Sequence, residues 1–141
     1  MHGSSDVDHL VDRHPSVTPE RLIAQLIPPP TFADVSFDSY RPDPSESSQS
    51  AAVETCRTFC EQAVARRAGK KKLFGKREVL PGVGVYLDGG FGVGKTHLLA
   101  STWHAAPGPK AFGTFVEYTN LVGALSFRKA VDELKEYTLV C

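Results

Sequence analysis

Eight consecutive residues, Gly89-Gly90-Phe91-Gly92-Val93-Gly94-Lys95-Thr96, constrain this chain more than any other stretch. They fit the pattern G-x-x-x-x-G-K-S/T at every fixed position. The flanks supply the context that the pattern needs. Val83-Gly84-Val85-Tyr86-Leu87 is a short β-branched and aromatic run that predicts a buried strand. Thr96 to His104 predicts a helix that stops before Pro107-Gly108-Pro109. Strand, glycine-rich loop and helix together make a cradle for a chain of phosphates. Burying several negative charges is costly unless each oxygen meets a donor. Four glycines in the six positions from Gly89 to Gly94 let backbone N–H groups converge without an intruding Cβ. The helix that follows turns its N-terminus, with unpaired N–H groups and partial positive charge, to the same place.

The candidate nucleotide-binding positions are therefore Gly89, Gly90, Phe91, Gly92, Val93, Gly94, Lys95, Thr96 and His97. Lys95 is expected to reach the β- and γ-phosphates of a nucleoside triphosphate, and the Thr96 hydroxyl to ligate Mg²⁺. A glycine-rich turn followed by a chance Lys-Thr pair is the bland alternative, and the flanks argue against it.

A chain of 141 residues has room for one modest domain. Lys+Arg and Asp+Glu are both 16, so any pull toward nucleic acid or membrane must be local. No apolar run approaches a membrane span, and no signal-peptide core opens the sequence, so a soluble intracellular protein is expected. Cys56, Cys60 and Cys141 suit buried free thiols in a reducing compartment better than a metal site or a disulfide framework.

In chain order, residues 1–17 read as a polar, disordered leader, 18–78 as a helical N-terminal segment, and 79–141 as the start of the nucleotide-binding domain. Thr18-Pro19-Glu20 supplies an N-cap, a first-turn proline and an early acid. The resulting helix is expected to reach about Ile27 before Pro28-Pro29-Pro30, with Leu22, Ile23, Leu26 and Ile27 on one apolar face. Phe32, Phe37 and Tyr40 punctuate an irregular linker; Phe37, Tyr40 or Arg41 either lies against a bound base or simply docks on the core. Val53, Cys56, Cys60 and Val64 recur at helical spacing from Gln49 to about Arg67. Arg66 to Arg77 carries seven basic residues in twelve, read first as a solvated loop and otherwise as a contact for nucleic acid or another anionic partner. Phe112 to Thr119 predicts a second strand, Asn120 a helix cap, and Ser126 a break. Tyr137 to Cys141 predicts a third strand. Asp132-Glu133 falls on a helical spacing and suits a solvated face rather than a catalytic one, so no catalytic residue is assigned.

The run Val85 to Leu99 resembles the ZapE family of bacterial cell-division ATPases, relatives of the mitochondrial AFG-type ATPases. Phe37-Asp38-Ser39-Tyr40-Arg41-Pro42, Phe115-Val116-Glu117 and Leu121-Val122-Gly123 extend the similarity over about residues 18–141. The Gly-Lys-Thr-His-Leu segment alone is shared with DnaA-like initiators and DnaC-like helicase loaders, which leaves a nucleic-acid-associated ATPase as the alternative. The resemblance implies an α/β P-loop fold of AAA+ type with an incomplete parallel sheet. It also implies ATP and Mg²⁺ as cofactors, a division-ring protein as partner, a cytoplasmic location and a homo-oligomeric full-length form. In such ATPases the strand beginning like Tyr137 to Cys141 continues into an acidic Mg²⁺ motif, with a sensor and an arginine finger beyond. The resemblance thus implies the N-terminal part of such an ATPase, binding nucleotide without turnover by itself. Its first strand would lack a neighbour, which predicts marginal stability or aggregation.

Overall fold

The computed structural model describes residues 18–69 and 83–141. The leader and most of the Arg66–Arg77 basic run lie outside the described residues. Five helices and one pair of short parallel strands are described: α1 (Pro19–Ile23), α2 (Ser47–Gly69), α3 (Lys95–Ala105), β1 (Lys110–Ala111), α4 (Phe115–Leu125), α5 (Phe127–Leu134) and β2 (Leu139–Val140). One-turn 3₁₀ helices at Pro30–Phe32 and Phe37–Ser39 punctuate the link from α1 to α2. The mixed helical architecture with a parallel sheet agrees in outline with the α/β expectation, but the strands differ from those expected.

Thr18 caps α1 as predicted, its side chain accepting from the Arg21 N–H with Pro19 in the first turn. The helix ends at Ile23, four residues early. Ile27 precedes a proline, which disfavours helical geometry there, and the Gln25 and Leu26 N–H groups bond three residues back, Leu26 to Ile23 at 2.9 Å. The expected apolar face is corrected accordingly: Ile23 and Leu26 are buried, whereas Ile27 is exposed.

Val83 to Leu87 joins no sheet among the described residues. Its burial alternates as a strand's would: Val85 and Leu87 pack on the core and Tyr86 faces out. A strand exists through its ladder, and no described strand runs beside this one.

The second expected strand is also corrected. Pairing occurs upstream, at Lys110–Ala111, and α4 begins at Phe115. A reciprocal capping box forces the change. The Thr114 hydroxyl accepts the Glu117 N–H at 3.3 Å, and the Glu117 carboxylate accepts the Thr114 N–H at 2.6 Å. Satisfying those end groups outweighs the β propensity of Phe115, Val116 and Tyr118. Asn120 lies inside α4 and caps nothing. The break at Ser126 is real: φ is 73° there, and α5 starts at the next residue.

β2 falls within the predicted Tyr137–Cys141 segment and pairs in parallel with β1, Lys110 against Leu139 and Ala111 against Val140. Further bonds extend the ladder: Thr138 N–H to Pro109 O at 2.7 Å, Cys141 N–H to Ala111 O at 2.9 Å, and Gly113 N–H to Cys141 O at 3.0 Å. The α4–α5 crossover packs with α1 over Ile23, Leu26, Ala111, Leu121 and Ala130. A separate cluster of Phe37, Tyr40, Val53, Cys56, Cys60 and Leu98 joins the linker, α2 and α3. Val64 is exposed and stands outside it. This second cluster carries the glycine-rich loop.

Candidate nucleotide-binding site

Residues 88–94 form an irregular loop that feeds α3. Gly89, Gly92 and Gly94 hold φ values of 141°, 76° and 84°. At Gly94 the requirement is double. Its left-handed backbone disfavours any side chain, and an added Cβ would overlap the Tyr40 ring at Cε2. Gly94 is the N-cap of α3, with no side chain capping the helix. Its carbonyl accepts the Leu98 N–H at 3.0 Å, the first bond of the helix. The N–H groups of Gly94, Lys95, Thr96 and His97 therefore precede the helical ladder and stand ready for an anion.

Lys95 turns back over the loop. Its Nζ donates to the carbonyl oxygens of Gly89 at 2.8 Å and Gly90 at 2.5 Å. The Gly89 N–H donates to Asp88 Oδ1 at 2.8 Å. A cavity of about 510 Å³ opens beside the lysine. It is lined by Leu87, Asp88, Gly89, Gly90, Val93, Lys95 and Leu98 from the loop region and α3, together with Tyr40, Asp43, Glu46, Ser48, Gln49 and Ala52 from the linker and α2. Its size suits a small-molecule site. A shallower groove runs over Phe91, Gly92, Val93, Gly94 and His97 on the loop side, facing Ser39, Tyr40 and Arg41. Phe91 is fully exposed at its rim. Thr96 is exposed on the first turn of α3.

All nine positions singled out in the sequence thus lie on one loop and the first turn of one helix. The linker was the less legible half of the site. Phe37 docks in the core with the Arg57 guanidinium 5.1 Å above its ring. Tyr40 is buried and donates its hydroxyl to Val93 O at 2.6 Å. Arg41 bonds the Asp38 carbonyl at 3.0 Å. His97 reaches the same linker: its Nε2 lies 3.0 Å from Ser39 Oγ and 3.1 Å from Ser36 O. The signal for this clasp was local, a Ser36-x-x-Ser39 pair that caps the turn from both ends. Asp43, Glu46 and Gln49 carried no motif that tied them to the loop.

The donor set fits a phosphate chain: a lysine, a run of open N–H groups and a glycine cradle that tolerates no Cβ at Gly94. The hydroxyl of Thr96 and the carboxylates of Asp43, Glu46 and Asp88 are oxygen donors of the kind a hard divalent cation takes. Among the described residues no group of three or more His, Cys, Asp or Glu side chains is arranged to hold a metal alone. Among them, too, no helix is long and apolar enough to cross a membrane.

No curated protein and no solved structure matches the chain. A family model described as AFG1-like ATPase matches residues 16–141, almost its whole length. The lysine-headed glycine loop and the family match agree, and the chain belongs to the AFG1-like ATPases, a family of nucleotide-binding ATPases.

Proposed function

We propose that this protein binds ATP with Mg²⁺ through residues 89–97. The observation that carries the reading is the position of Lys95, folded over the Gly89 and Gly90 carbonyls at the head of an uncapped helix. An anion in the cradle would offer Nζ stronger, charged acceptors than two neutral carbonyls. Lys95 would hold the β- and γ-phosphates, the N–H groups of Gly94 to His97 would donate to phosphate oxygens, and the Thr96 hydroxyl would be a ligand for Mg²⁺, whose charge would offset that of the phosphate chain.

Lys95→Ala tests this directly by titration calorimetry with Mg-ATP. Loss of measurable binding is expected, and wild-type affinity in the variant would sink the assignment. Asp132 and Glu133 take no part in the chemistry in this reading. Asp132 pairs with Lys135 at 2.6 Å along α5, as a surface pair does.

The ZapE-like run from Val85 to Leu99 supports a narrower role, an oligomeric ATPase acting on a division-ring protein. ATP-dependent co-sedimentation with filaments of such a protein is expected; sedimentation indifferent to ATP counts against that role and leaves nucleotide binding standing.

A further inference from the structure

We infer that Tyr40 is a positioning residue for the phosphate loop: its hydroxyl sets the Val93–Gly94 peptide so that the Gly94 N–H faces the ligand. The inference rests on the nucleotide-binding reading above and adds a residue from outside the loop to it.

The peptide plane supplies the geometry. Tyr40 donates to Val93 O at 2.6 Å. No described peptide bond is cis, and across a trans peptide the carbonyl and the next N–H point to opposite sides. Holding Val93 O toward Tyr40 therefore turns the Gly94 N–H away from it. That N–H is the first of the four that precede the α3 ladder. Without the hydroxyl, the Val93–Gly94 peptide has a softer barrier to rotation, because glycine accepts either sign of φ. The Tyr40 ring closes the other escape. It packs so tightly on Gly94 that an added Cβ would overlap it.

Tyr40 is itself held from both sides. It follows the Phe37–Ser39 turn, which Ser36 and Ser39 cap reciprocally. His97, three residues beyond Gly94, reaches that turn through Ser36 O and Ser39 Oγ and meets the Tyr40 ring edge-on at 5.5 Å. The linker thus grips the loop on both sides of Gly94, at Val93 and at His97. Tyr40 is only 8% exposed, so its ring is committed to this packing rather than offered as an open face for a base.

The experiment compares Mg-ATP with inorganic tripolyphosphate on wild type, Tyr40→Phe and Lys95→Ala, by calorimetry. A hydroxyl that positions the phosphate loop affects both ligands alike, and removing it is expected to weaken each by roughly three- to tenfold. Weakening of ATP alone means that Tyr40 touches the base, and overturns the proposal. Unchanged affinity for both overturns it as well. Wild-type protein that binds neither ligand, or Lys95→Ala that binds both normally, instead overturns the nucleotide-binding reading on which it stands. A measurement on the unaltered protein covers misfolding of the variant. The Gly94 amide resonance is expected to shift when tripolyphosphate is added, and a stationary resonance in protein that binds tripolyphosphate overturns the proposal.

Discussion

The Lys110 ammonium lies 4.4 Å from the centre of the Trp103 ring and caps the end of the helix that carries that ring. Its Nζ donates to His104 O at 3.2 Å, in the last turn of α3, and to Ala106 O at 2.9 Å, in the residue that caps it. A cation at a helix C-terminus is favourably placed against the dipole, and the aromatic face adds a second attraction. β1 and the C-terminal end of α3 are therefore tied through one side chain. Lys110→Met is expected to lower stability by about 1 kcal/mol. Trp103 is the sole tryptophan, so its fluorescence during urea unfolding reads the change without ambiguity.

Gly94 and Gly90 make a matched pair of substitutions. At Gly94 an alanine meets both a left-handed backbone, worth about 1–2 kcal/mol, and the Tyr40 ring. At Gly90 an added Cβ meets no described atom within 4 Å, and φ is not in the left-handed range. Gly94→Ala is expected to lower the thermal midpoint clearly and Gly90→Ala to leave it close to wild type. Equal midpoints would mean that Tyr40 yields space at no cost.

The Thr114–Glu117 box makes α4 sensitive to acid. The Thr114 N–H, and then its hydroxyl, hold the Glu117 carboxyl below its ordinary value of 4.5. A lowered native value contributes stability that is complete above 4.5, declines as pH falls from there to the lowered value, and is gone below it. Glu117 is exposed, so the contribution is small. Glu117→Gln is expected to flatten the acid limb of the stability profile in that window and to leave the profile above pH 6 parallel to wild type. An acid limb of unchanged slope would remove Glu117 from the account.

Three thiols test the packing of α2 and β2 against α3. Cys56 and Cys60 are buried, and burial raises both thiols; burial also pushes Cys141 up to about 12. Cys60 and Cys141 face the α3 carbonyls of Thr102 and Leu99. Thiolate is the reactive form, so at pH 8 all three are expected to react slowly with a disulfide reagent in native protein and rapidly in denaturant. A fast native thiol would show that this layer opens readily.

The two halves of the site differed in legibility for a physical reason. The proposed phosphate cradle is built from consecutive residues, so Gly89 to His97 suggest it in one line of sequence. The clasp that holds it joins Tyr40 to Val93, and neither residue type marks such a bond. Where the sequence misled, local end effects beat strand propensity. Phe115, Val116 and Tyr118 suggest a strand until Thr114 and Glu117 are seen to close a helix turn. Val83 to Leu87 kept the alternation of a strand without a ladder among the described residues, because alternation is a property of one segment and pairing is a property of two.

The parallel pairing of β1 with β2 also bears on the order in which the chain assembles. Lys110–Ala111 can meet Leu139–Val140 only after the whole α4–α5 crossover has been drawn between them, so the contact pays its loop-closure entropy before it returns anything. The helices, stabilised within a few residues of themselves, are free to form first. The Gly113 and Cys141 bonds carry this ladder up to the residue before Thr114, so closing the sheet ties β1 and β2 to the start of a helix that its own capping box has already set. Refolding speed is therefore expected to follow the helical content of the crossover more closely than the occupancy of the proposed nucleotide site.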